Sequence, residues 1–128
     1  WGSWLSASNP VIRDIHEYCL VFSKDSMKNS SGGKSTIEKD EFMESTLSIW
    51  NITPEKAKKI GHPAPFPVEL PKKFINLYSF KDDLILDPFI GSGTTAVASK
   101  LLKRKYVGYE INKNYIEIAN NRLKMETS

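Results

Sequence analysis

The chain has 128 residues, 40% of them hydrophobic and 26% charged, with a net charge of +3. That is enough apolar material for one core, and no apolar run approaches the ~20 residues of a membrane-spanning helix. A single cysteine excludes an internal disulfide, two widely separated histidines give no metal-ligand spacing, and the modest positive charge is compatible with nucleic acid without specifying it.

In chain order, residues 1–10 are polar and aromatic without a period and read as loop. Glu17 to Ser23 is a short apolar run rich in β-formers, which predicts a buried strand with Cys19 as a buried thiol. Residues 23–41 collect glycine, serine and lysine with few apolar anchors and read as a flexible linker. Thr46 to Ile52 alternates with period two, predicting a half-buried strand that Thr53-Pro54 ends. Val68 to Ser79 predicts a helix with Pro71 in its first turn and Leu70, Phe74, Leu77 and Tyr78 on one face.

A β-α-β-α unit follows. Leu84-Ile85-Leu86 predicts a buried parallel strand, and Thr94 to Lys103 a helix carrying Val97, Ala98, Leu101 and Leu102 at helical spacing. Tyr106 to Tyr109 is the second strand. A closing amphipathic helix presents Tyr115, Ile116, Ala119 and Leu123, capped by Asn112 or Asn114. Two strand-helix repeats with glycines at the first turn predict a doubly wound α/β sheet that takes its ligand at the C-terminal ends of the strands.

The chemistry concentrates at that first turn, Asp87-Pro88-Phe89-Ile90-Gly91-Ser92-Gly93-Thr94-Thr95. Gly91 and Gly93 let the backbone turn tightly and approach a ligand, while Asp87 ends the strand with a carboxylate. About 20 residues further on, Glu110 closes the second strand, where α/β nucleotide folds grip a ribose diol. Thr94-Thr95 stands where a P-loop needs Lys-Ser/Thr, which disfavours a triphosphate. A dinucleotide oxidoreductase shares the Gly-x-Gly-x-x-Ala pattern, but its glycines directly follow the strand, whereas Asp-Pro-Phe-Ile intervenes here. His16 and His62, taken singly, read as packing or hydrogen-bonding residues, and Trp1, Trp4 and Trp50 as packing residues.

The stretch from Asp87 to Thr95, with His62-Pro63-Ala64-Pro65-Phe66-Pro67 upstream and Gly108-Tyr109-Glu110-Ile111-Asn112 downstream, resembles the amino-group DNA methyltransferases. The resemblance covers roughly residues 1–24 and 47–124. It implies a partial Rossmann-like methyltransferase sheet and S-adenosylmethionine as cofactor. Asp87, Phe89, Gly91, Ser92, Gly93, Thr94 and Thr95 would form the cofactor loop, Glu110 would bind the ribose, and His62-Pro63 would lead the helix beside the methionine moiety. The order of the segments is similar to that of the permuted subgroup, in which a catalytic half precedes the cofactor half. On this basis residues 1–24 end the catalytic half, 25–61 are linker and short strand, and 62–128 form the cofactor half.

One departure from the family is decisive. Its catalytic Asp/Asn/Ser-Pro-Pro-aromatic tetrapeptide is absent, since no Pro-Pro pair occurs in the chain, so no catalytic residue is assigned to these positions. The resemblance then implies the C-terminal part of a longer or split cytoplasmic enzyme that methylates an exocyclic amine of adenine or cytosine in DNA, as in restriction-modification. Its partners would be DNA and an N-terminal catalytic half or subunit, with self-association expected when that half is missing. The alternatives are a non-catalytic cofactor- or DNA-binding subunit and an NAD-binding oxidoreductase fragment.

Overall fold

The computed structural model describes residues 12, 14–54 and 66–125. Among these the regular elements are α1 (Lys39–Ser45), α2 (Glu69–Tyr78), β1 (Leu84–Asp87), α3 (Thr94–Leu101), β2 (Lys105–Gly108) and α4 (Lys113–Met125). The expected β-α-β-α unit is present, with β1 and β2 parallel and Leu84, Ile85, Leu86 and Asp87 opposite Lys105, Tyr106, Val107 and Gly108. The second strand begins and ends one residue before the expected span.

The core is built around the crossover helix. Ala96, Val97, Ala98 and Ser99 of α3 are all buried, because small side chains let α2, β2 and α4 pack closely on this helix. Pro71 sits buried in the first turn of α2, where its missing N–H removes no helical bond. On α4 the buried residues are Ala119 and Arg122, and Asn112 caps the helix by accepting the Asn114 N–H at 3.0 Å.

Two expected strands are not formed. Residues 17–23 and 46–52 carry no strand, and the side chains of Tyr18, Leu20 and Phe22 are exposed, as is Cys19. A strand exists through ladder bonds to a neighbour, and among the described residues the sheet consists of β1 and β2, neither paired with these segments. Propensity alone could not supply the partner. In place of part of the second expected strand, residues 46–48 form the turn that leaves α1.

The stretch read as linker lacks regular structure up to residue 38 but is tied down. Asn29 Nδ2 donates to Asp83 at 3.3 Å, the Lys81 N–H donates to the Lys34 carbonyl at 3.0 Å, and Thr36 Oγ1 donates to Asn76 Oδ1 at 3.3 Å. The unanticipated α1 is held by polar contacts. Asn76 Nδ2 donates to Glu41 at 2.8 Å, and the buried Lys73 pairs with Glu44 at 3.3 Å. Trp50 is a packing residue, its ring 5.0 Å from that of Phe74 and its N–H donated to the Ser45 carbonyl at 3.2 Å.

Burial also departs from expectation in the packed unit, where Leu101 at the end of α3 is exposed. Leu84 and Leu86 of β1 remain 63% and 61% exposed, because the described helices cover one face of the parallel pair and leave the other open. On α2 the buried apolar residues are Pro71 and Ile75, with Leu70, Phe74 and Leu77 half-buried and Tyr78 exposed, since α3 approaches the other side of the expected stripe. On α4, Ile116 is exposed and Ile118 takes its inward position.

Candidate functional site

The glycine-rich loop leaves β1 at its C-terminal end and is pinned at every few residues. Asp87 Oδ1 accepts the Phe89 N–H at 2.9 Å, an Asx turn that folds the chain back over the strand end. The Ile90 N–H donates to the Tyr109 carbonyl and the Tyr109 N–H to the Asp87 carbonyl, each at 3.0 Å, so the turn is stitched to the residue following β2. Gly91 and Gly93 adopt φ of +51° and +83°, the left-handed region in which a Cβ is strained. Gly93 is also the residue preceding α3, and a Cβ there would lie 2.8 Å from Cβ of Ala119.

Glu110 joins this loop directly. Its Oε2 accepts the Gly91 N–H at 3.0 Å and its Oε1 accepts the Asn112 N–H at 2.7 Å. The carboxylate therefore links the loop, the end of β2 and the start of α4, and each oxygen keeps a further lone pair for a hydroxyl. Asp87 and Glu110 stand at the ends of adjacent parallel strands, both half-buried. The sequence-derived residues Asp87, Gly91, Gly93 and Glu110 are thus brought together at the expected strand edge.

The remaining candidates divide by exposure. Phe89 is 88% exposed, its ring open to solvent beside the turn. Ser92 and Thr94 are buried, and their hydroxyl groups face Arg122 of α4, whose Nη1 donates to Ser92 Oγ at 3.2 Å and Thr94 Oγ1 at 3.1 Å. Thr95 is half-buried in the first turn of α3 and its carbonyl accepts Ser99 Oγ. The first N–H groups of α3, at Thr94 and Thr95, have no partner within the helix. His62 and Pro63 lie outside the described residues, as do Trp1 and Trp4. His16 is exposed, with its ring 5.1 Å from that of Tyr18.

Arg122 was not foreseen. The signal was a cation inside the apolar stripe of α4, in register with Ala119 and Leu123, where a solvated face would not place it. Arg104 is a second buried arginine, donating to the Ser79 carbonyl at 2.8 Å, Ser79 Oγ at 3.2 Å and Thr36 Oγ1. Burial lowers its pKa from the ordinary arginine value, against the opposing pull of Asp83 and Asp82. A concavity of about 450 Å³ lies between α1 and α2 and is lined in part by Glu41, Glu44, Glu69 and Lys73. The Lys73–Glu44 ion pair joins the two helices there, Lys73–Glu69 lies within α2, and no residue of the glycine loop lines the concavity. Among the described residues no group of His, Cys, Asp and Glu could hold a metal ion, and no helix is long and apolar enough to cross a membrane.

Residues 2–121 match the DNA methylase family. The chain is 30% identical to the type II methyltransferase M.MthZI of Methanothermobacter thermautotrophicus, over 95% of this chain and 38% of that protein. It is 52% identical to the orphan methyltransferase M.BamHII of Bacillus amyloliquefaciens, over 61% of this chain and 32% of that protein. The crystal structure of TTHA0409 from Thermus thermophilus, a candidate DNA modification methylase complexed with S-adenosyl-L-methionine, superposes with a TM-score of 0.62. The identity is 34%, over 72% of this chain and 35% of that one. The chain therefore spans about a third of the length of these proteins.

Proposed function

Because the chain belongs to the DNA methylase family, with a partial Rossmann-like sheet, we propose that it is the cofactor-binding part of an amino-group DNA methyltransferase. The enzyme would transfer a methyl group from S-adenosylmethionine to an exocyclic amine of DNA, N6 of adenine ahead of N4 of cytosine. The observation that carries this proposal is the hydrogen bond from the Gly91 N–H to Glu110, which supports a ribose-binding role for this carboxylate beside the glycine loop.

The donor and acceptor set suits that cofactor. Glu110 would hold the ribose hydroxyls with its remaining lone pairs. Asp87 would favour the positive end of the cofactor, and Phe89 would cover it with an exposed ring. Gly91, Ser92, Gly93, Thr94 and Thr95 would supply close backbone, and His62 and Pro63 would complete the site from the segment before α2. S-adenosylmethionine supplies, when bound, an electrophilic methyl group on a sulfonium. The base must leave the helical stack for its amine to approach, and a Pro-Pro-aromatic tetrapeptide would orient the amine lone pair.

That tetrapeptide is not in this sequence, so in this proposal residues 1–24 close a catalytic half, 25–61 connect, and 62–128 bind the cofactor. DNA and a polypeptide carrying the tetrapeptide are the partners, restriction-modification is the setting, and the cytoplasm is the compartment because the substrate is there. The open face of the sheet supports self-association when that polypeptide is lacking.

Calorimetric titration with S-adenosylmethionine and with NAD tests the cofactor assignment, and a preference for NAD would overturn it. Methyl transfer from labelled cofactor to unmethylated DNA, assayed with the chain alone and with the complementing polypeptide, tests the division of labour. Orientation of the amine contributes roughly 7–11 kcal/mol to such a barrier, so turnover is expected only on complementation. Activity of the chain alone would place the catalytic residues within these 128 positions.

A further inference from the structure

We infer that Arg122 is a positioning residue for the glycine loop, setting its ligand-ready shape from the opposite side through Ser92 and Thr94. The inference rests on the proposed assignment of that loop to the cofactor. Arg122 lies 30 residues beyond Ser92 in sequence and is 9% exposed, yet one of its nitrogens, Nη1, faces three loop acceptors. These are the Ser92 carbonyl at 3.0 Å, Ser92 Oγ at 3.2 Å and Thr94 Oγ1 at 3.1 Å. The Ser92 carbonyl belongs to a turn rather than a helix or strand, and Arg122 supplies a donor that it needs once it is buried.

Helix stability does not account for this placement. Thr94 opens α3, and a cation beside a helix N-terminus meets the like-signed end of the macrodipole. No ion pair between Arg122 and a described carboxylate offsets that repulsion. What the guanidinium gains is the set of loop contacts.

A second contact one turn away points to the same role. Ala119 precedes Arg122 by three residues on α4 and leaves no room for a side chain at Gly93. The same face of α4 thus presses on Gly93 and holds Ser92 and Thr94, bracing the loop where its φ values are positive. Glu110 holds the loop from the end of β2 by Gly91. The loop is therefore fixed from two sides, by Glu110 and by α4.

The test compares Arg122→Ala, Arg122→Gln and Arg122→Lys with Ile118→Ala, a cavity variant on the same helix whose side chain makes no polar contact with the loop. Affinity for S-adenosylmethionine is measured by calorimetry at a temperature where circular dichroism shows every variant folded. Amide hydrogen exchange of residues 91–95 is followed without ligand. Arg122→Ala and Arg122→Gln are expected to lose affinity by roughly tenfold or more, as for charged hydrogen bonds that shape a site, and to exchange faster at 91–95. Arg122→Lys should recover part of both, and Ile118→Ala should lower the melting temperature while keeping affinity and loop exchange. A normal Kd or unchanged loop exchange in Arg122→Ala would overturn the inference. If the unaltered chain does not bind S-adenosylmethionine, the cofactor assignment fails, and exchange at 91–95 still decides whether Arg122 positions the loop.

Discussion

Glu110 accepts the Gly91 N–H at 3.0 Å across 19 residues of chain, joining the glycine loop after β1 to the end of β2. With its other oxygen on the Asn112 N–H at 2.7 Å, one carboxylate sets the relation of loop, strand and closing helix. The residue proposed to contact the ribose is therefore also a structural staple.

That dual role separates two substitutions. Glu110→Ala removes both acceptors and should weaken S-adenosylmethionine binding by about 1–3 kcal/mol while lowering the melting temperature. Glu110→Gln keeps one acceptor oxygen but turns an amide N–H₂ toward the other backbone N–H, so it should fall between wild type and Glu110→Ala in both respects. Calorimetry and thermal unfolding on the same samples would check the order, and equal binding by all three proteins would remove Glu110 from the cofactor site.

Gly93→Ala should destabilise the fold by about 2 kcal/mol or more, because a left-handed φ is strained for any Cβ and the new methyl meets Ala119. Adding Ala119→Gly opens the space but leaves the backbone strain. A double-mutant cycle in urea should therefore show partial, not complete, recovery. Complete recovery would mean that the clash alone, and not the conformation, requires glycine here.

Arg104→Met should cost on the order of 2–3 kcal/mol. It keeps much of the volume but leaves the Ser79 carbonyl and hydroxyl without their charged donor and releases Thr36. The expected signature is local. Amides of residues 29–37 should exchange faster than those of α3, since this arginine is one of the ties holding that segment to the end of α2. Uniform acceleration across the chain would argue against a local tie.

The open face of the sheet, where Leu84, Leu86 and Val107 are exposed, should make the isolated chain associate with itself. Leu86→Lys should shift sedimentation toward monomer without disturbing the parallel pair, because the position already faces solvent. A chain that sediments as a monomer before substitution would count against self-association.

Much of the candidate site's geometry was legible in the sequence because its determinants are local. A turn needing φ above zero selects glycine, a strand end presents its carboxylate at a fixed offset, and a crossover helix writes its buried face at helical spacing. Asp87, Gly91, Gly93 and Glu110 accordingly stand together where the motif placed them. Other features depended on partners that no local pattern names. The β-forming runs at 17–23 and 46–52 have the composition of strands but no described neighbour to supply the ladder, so Cys19 and Leu20 stay exposed. Helix α1 forms on the strength of Asn76 and Lys73, which lie about thirty residues further along the chain. Tertiary structure decided that Arg104 would be buried, and for Arg122 it supplied the partners that its place in the α4 stripe could not name. A guanidinium leaves water only where several oxygens from distant segments converge on it, and that convergence is a property of the packed chain.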